Sequence, residues 1–195
     1  MAQDEENGYV DYFEVLGLDE TAKPGEVRKS YRTKMKELVA EIAAVEITEE
    51  RRSRYLLEMA KLNAALFLLR ETDLRDAYWS DRKQLIALER QWRDAANAGQ
   101  DTNELRKSFD SQVRGFLSRY VEDAMLAGGR DKECVEVSYW DAAHERHASG
   151  ILRQYRQELY RQILERLPYA DVTKPNIDWD ERRRFVTGVL AQGAH

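Results

Sequence analysis

Between Pro24 and Glu41 the apolar residues Val27, Tyr31, Met35 and Leu38 recur at intervals of four, four and three. That spacing places them on one face of an α-helix. Pro24 suits the first helical position, where no N–H is needed and φ is already helical. The remaining surface carries Arg28, Lys29, Arg32, Lys34 and Lys36, with Glu26 and Glu37 alone against them. Such a helix must bury its apolar face and leave a basic one for solvent or a partner. No Gly, Pro or Asn interrupts the chain from Leu38 to Ile47, so the helix is expected over about 24–45.

A second helix of matching length follows. Thr48 can cap it, and Glu49 and Glu50 in its first turn complement the helix dipole. Tyr55, Met59, Leu62, Leu66 and Leu69 form its stripe, flanked by Leu56 and Ala65, which predicts helix over about 49–70. Each helix has about 22 residues and a length of about 33 Å, so the two can pair as an antiparallel hairpin. Asn63 is a polar residue in this core-like segment. Upstream, Tyr12, Val15 and Leu16 fall at i, i+3 and i+4 of a short helix that Gly17 can end. Downstream, residues 73–79 read as a fourth helix with Leu74, Ala77 and Tyr78 turned inwards.

Composition agrees with an all-α protein. The 195 residues are 34% charged and 43% hydrophobic, glycine and proline are sparse, and β-branched runs are missing. The net charge of −5 gives no sign of bulk nucleic-acid binding. Cys134 is the sole cysteine, so an intramolecular disulfide is excluded and a reducing compartment is expected. Residues 1–8 read as an acidic, disordered tail, not a secretory signal. No apolar run approaches the roughly 18 residues of a membrane span. The expectation is a cytoplasmic protein.

Several anchors carry a family resemblance. Asp11-Tyr-Phe-Glu-Val-Leu-Gly-Leu18, Tyr31-Arg32, Leu62-Asn63-Ala-Ala65 with Leu69, and Arg75 with Tyr78 stand in order at nearly family separations. Over about residues 9–83 the chain resembles the J-domain of DnaJ-type co-chaperones. The resemblance implies a J-like helical hairpin with flanking short helices, and a basic helix that docks on a heat-shock ATPase. Counted from Tyr31-Arg32, the family's His-Pro-Asp signature would fall at Val39-Ala40-Glu41, and it is absent. In the family that tripeptide stimulates hydrolysis by the ATPase, so the departure implies a J-like fold that lacks the trigger. On the expected boundaries these three positions lie inside a helix.

Residues 84–195 resemble no family and are expected to form a helical, bundle-like second domain. Leu85, Leu88, Trp92 and Ala95 carry a helix to about Asn97, and Ala98-Gly99-Gln100 breaks it, with Asp101 able to cap the next. Leu105, Phe109, Val113, Leu117, Tyr120 and Val121 form a stripe that Gly128-Gly129-Arg130 is expected to end, giving way to a polar loop. Val135–Trp140 reads as a turn, and Ser138 or Asp141 as the cap of a helix bearing Ile151, Tyr155, Leu159 and Ile163. Gly150 within it suggests close packing or a kink. After Pro168 and Lys174-Pro175, Trp179, Phe185, Val186, Val189 and Leu190 mark a last short helix.

No nucleophile–base pair or phosphate-binding glycine loop is present, so no enzyme and no cofactor is expected. Asp141, His144 and His147, with Cys134 upstream, lack zinc-site spacing and read as exposed groups on a charged helix. Arg153, Arg156, Arg161 and Arg182-Arg-Arg184 alternate with Glu158, Glu165 and Glu181, which reads as a salt-bridged surface before a phosphate-binding one. The leading expectation is a non-catalytic J-like adaptor, with a homo-oligomer through the C-terminal helices as one arrangement. The second is a divergent co-chaperone that engages a heat-shock ATPase through Arg28, Lys29, Arg32, Lys34 and Lys36 without stimulating it. The third, a nucleic-acid-associated factor, rests on the C-terminal arginines alone.

Overall fold

The computed structural model describes residues 9–44, 48–165 and 167. The described residues are helical, without strands. The first helix, α1 (Tyr12–Leu16), starts at Asp11, whose side chain accepts from the Phe13 and Glu14 amides. It stops at Gly17, where φ of +68° favours glycine. Helix α2 (Pro24–Ala44) opens with proline, and the Glu26 carboxylate reaches back to the Lys23 amide at 2.7 Å. Helix α3 (Glu49–Leu69) is capped by Thr48, as its sequence predicts. Tyr31 bonds Asn63, while Ile42 lies beside Leu56, so α2 and α3 run antiparallel.

Helix α4 (Thr72–Asn97) crosses residue 83 without a break and ends at Gly99, also at φ +68°. Within it Tyr78 is buried, but Leu74 is 39% exposed and Ala77 faces solvent. The expected inward turn of those two is corrected: α4 offers the core the row Tyr78, Arg82, Leu85, Glu89 and Trp92. Asp101 accepts from the Asn103 amide, and the helix that follows is one rod in three parts. These are α5 (Asn103–Leu117), a π-helical segment (Ser118–Asp123) and α6 (Ala124–Arg130). The wider π turn shifts peptide groups out of the i→i−4 register. The Tyr12 hydroxyl donates to the Tyr120 carbonyl within it, at 2.5 Å.

The rod ends at Arg130, as Gly128-Gly129-Arg130 predicts, and packing gives the two glycines a second reason. A Cβ on Gly128 would stand 2.7 Å from the carbonyl of Asn63, and one on Gly129 would stand 2.6 Å from the Trp140 ring. The glycines are there for close approach: α6 packs backbone to backbone on α3, the most extensive helix contact in the fold. Asp131 caps α7 (Lys132–Ser138), where a turn was expected, and Tyr139 closes it at φ +56°. Asp141 caps α8 (Ala142–Glu165) through the Ala143 and His144 amides, each at 2.9 Å. Its buried row is Ala148, Leu152, Leu159 and Ile163, and the space beside Gly150 is open, so the expected close packing there is corrected. The expected helix over Trp179–Leu190 lies outside the described residues.

Helix α3 is the axis. It touches α1, α2, α4, α6, α7 and α8, and from Leu62 to Leu69 nearly every side chain is buried. A helix surrounded on all sides must be apolar all round, which accounts for the run Leu62-Asn-Ala-Ala-Leu-Phe-Leu-Leu69. One contiguous core extends from Tyr9 to Leu167, so the described parts of both halves share it. No described helix is long and apolar enough to cross a membrane.

Candidate docking face on the basic helix

The five cations of α2 divide into three groups. Arg28 and Arg32 lean towards α7: Arg28 Nε lies 3.2 Å from Glu133 Oε1, and Arg32 Nη2 lies 3.5 Å from the same oxygen. Glu133 also receives Arg70 Nη1 at 3.4 Å. Lys34 turns the other way, its Nζ 3.7 Å from where a Cβ on Gly17 would stand. It brings a cation to the carboxyl end of α1, where free carbonyls favour positive charge. Lys29 and Lys36 are exposed on the outer side with Arg32 between them, a stripe at i, i+3 and i+7. Among the described residues, no ion pair engages Lys29, Lys34 or Lys36.

Local capping chemistry puts Glu133 in place. Asp131 accepts from the Glu133 and Cys134 amides at 3.0 and 3.2 Å, which fixes the start of α7. The same carboxylate takes the Arg70 guanidinium as a fork, at 2.6 and 2.7 Å. Arg70 and Asp131 are only 15% and 16% exposed, so this pair is little weakened by solvent. The Arg70 hydrogen bond holds the Asp131 carboxyl below its ordinary value despite burial, and raises the Arg70 guanidinium in turn. The Arg32 contact, with 57% of its side chain exposed, is of the kind worth about 0–1 kcal/mol.

Beneath the arginines lies a polar node in the core. The Tyr31 hydroxyl donates to Asn63 Oδ1 at 2.8 Å and lies 3.1 Å from the Cys134 carbonyl. The Ser138 hydroxyl donates to that same carbonyl, and the Cys134 thiol points at the Asn63 carbonyl. Burial pushes the Tyr31 hydroxyl well up and the Cys134 thiol up to about 12. Both stay protonated donors near neutral pH. The node ties α2, α3 and α7 together, so α7 is part of the core and not a detachable cover.

Val39, Ala40 and Glu41 lie within α2, ahead of its last residue, Ala44. Val39 is half-buried against the core, and Ala40 and Glu41 lie on the more open side. In α8, His144 Nδ1 lies 2.7 Å from Asp141 Oδ1, and His147 Nδ1 lies 2.8 Å from the Ala143 carbonyl. No group of three or more potential metal ligands occurs among the described residues. Arg156 pairs with Glu122 at 2.9 Å, and Arg161 with both Glu158 and Glu165. Residues 182–184 lie outside the described residues.

The sequence pattern shows the basic residues but not the roles of Arg70, Asp131 and Glu133. A signal for them exists: Leu117, Val121, Ala124 and Gly128 continue the stripe at i+4, i+3 and i+4. The rod ends at Arg130 as expected, but the polar loop expected after it is instead a helix capped by Asp131. Compared with protein-family models, curated proteins and solved structures, the chain finds no match.

Proposed function

We propose that this chain is a non-catalytic J-like adaptor that docks a partner protein along the outer stripe of α2 that Lys29 and Lys36 mark. The supporting observation is the state of the signature position. Where a J-domain would carry His-Pro-Asp, α2 is continuous helix from Pro24 to Ala44, with Val39 turned to the core. A proline there would remove a helical hydrogen bond and clash with the preceding turn. The packing around α2 thus favours a rigid surface over an exposed catalytic loop. Glu133 already engages Arg28 and Arg32, which leaves the outer stripe as the face open to an acidic partner.

The outward lysines of that stripe also favour a second reading, a co-chaperone that occupies a heat-shock ATPase without stimulating it. Both readings are tested by measuring ATP turnover of a heat-shock ATPase with this protein, with a true J-protein, and with both. Stimulation by this protein alone would overturn the non-catalytic reading. Inhibition of the true J-protein's effect, relieved by the K29E/K36E variant, identifies the competing co-chaperone. No effect leaves the adaptor, whose partner should be lost from pull-downs by K29E/K36E and by raised salt. A partner set indifferent to both would refute docking on this stripe.

A further inference from the structure

A groove of about 310 Å³ lies between the last turns of α2, the first half of α3 and the start of α8. Ile42, Leu56 and Met59 line its apolar part, Leu56 and Met59 being buried core residues. Arg52, Tyr55, His144 and His147 supply polar groups around it, with Asp141 Oδ1 2.7 Å from His144 Nδ1, and among the described residues no carboxylate lines it. Arg52 meets Glu49 at 3.7 Å with both side chains more than half exposed, a contact that an incoming anion can replace at little cost. The Tyr55 hydroxyl bonds no described residue, and with Nδ1 of His147 facing the Ala143 carbonyl, its Nε2 is left open.

We infer that this groove is a binding site for a small amphiphilic carboxylate, a medium-chain apolar body with one anionic head. The body fills the space over Ile42, Leu56 and Met59, where each methylene withdrawn from water contributes. The head meets the Arg52 guanidinium, a planar donor suited to a carboxylate, and the Tyr55 hydroxyl. The volume is at the lower end of small-molecule sites, which fits one short chain and excludes a large ring system. The inference does not rest on the docking stripe of α2, because no residue is shared.

The probes are octanoate, octanol and octylammonium, titrated by calorimetry into the full chain and by NMR of ¹³C-methyl-labelled methionines. Octanoate is expected to saturate one site and to shift the Met59 methyl while that of buried Met125 stays in place. Octanol should bind about tenfold more weakly and octylammonium more weakly still. Arg52→Gln, at an exposed position, should weaken octanoate about tenfold and leave octanol unchanged. Ile42→Trp, at the half-buried edge, should abolish binding of both with an unchanged circular dichroism spectrum. Equal affinity for octanoate and octylammonium would overturn the anionic head, as would an Arg52→Gln variant that binds octanoate normally. An unmoved Met59 methyl, or no saturable binding of octanoate at millimolar concentration, would overturn the site.

Discussion

Gly128→Ala puts one methyl group against a wall that cannot yield. The added Cβ would stand 2.7 Å from the carbonyl carbon and oxygen of Asn63 and 2.9 Å from the Ala64 amide nitrogen. These are backbone atoms of the central helix, so no side chain can rotate away. Restoring ordinary contact at 3.4 Å requires α6 and α3 to separate by about 0.7 Å. A gap of that size forfeits about a quarter to a half of the dispersion energy across an interface. Overpacking of this kind costs about 1–3 kcal/mol, and alanine's better helix propensity returns about 1 kcal/mol. The expected net loss is about 0–2 kcal/mol, read by urea unfolding followed by far-ultraviolet circular dichroism. Gly115→Ala and Gly150→Ala make the same chemical change in helices with open space beside them. They should gain about 0.5–1 kcal/mol. A Gly128→Ala protein more stable than the wild type, or three variants that shift alike, would refute the close-approach explanation.

The Arg70–Asp131 fork should be visible in the pH dependence of stability. Asp131's folded pKa lies below the ordinary 3.8, so its contribution is complete above that value and is lost as pH falls through the lower folded one. Asp131→Asn should therefore cost about 2–3 kcal/mol at neutral pH and flatten the acid limb of stability, measured by urea midpoints from neutral pH down to about pH 2. An acid limb of unchanged steepness would count against this assignment. Introducing His-Pro-Asp as V39H/A40P/E41D should lower stability by about 3 kcal/mol, because the proline introduced in place of Ala40 would sit in a helix interior; a thermal midpoint equal to wild type would show that helix continuity does not exclude it. Cys134, fully buried with its thiol pushed up to about 12, should resist a thiol reagent at mildly alkaline pH until the chain unfolds. Labelling of the native protein at the rate of a free thiol would contradict the burial of the Tyr31–Asn63–Cys134 node.

The long helices were legible because their causes are local. Val27, Tyr31, Met35 and Leu38 share a face whatever surrounds them, and Pro24, Thr48, Gly17 and Gly99 act on their own neighbours' φ angles and amides. Errors arose where a residue answers to something distant in sequence. Gly128 does stand in the last turn of its rod, but its missing side chain is explained only by the Asn63 carbonyl across the interface. Leu74 shares a helix face with buried Tyr78, yet it stands in the first turn of α4 and is 39% exposed, which its own apolar character does not show.

The candidate face divides the same way. That α2 is basic, and that residues 39–41 read Val-Ala-Glu, are properties of the sequence alone. Which of the cations remain open is not, because it depends on a carboxylate 105 residues away from Arg28. Charges in a list are equivalent, whereas charges on a surface are sorted by what the fold brings within about 4 Å. The sequence by itself therefore determined the class, the helices and a stock of basic residues. Tertiary packing decided that Arg28 and Arg32 bind inwards while Lys29 and Lys36 face out, because only the docking of α7 on α2 and α3 brings Glu133 within reach.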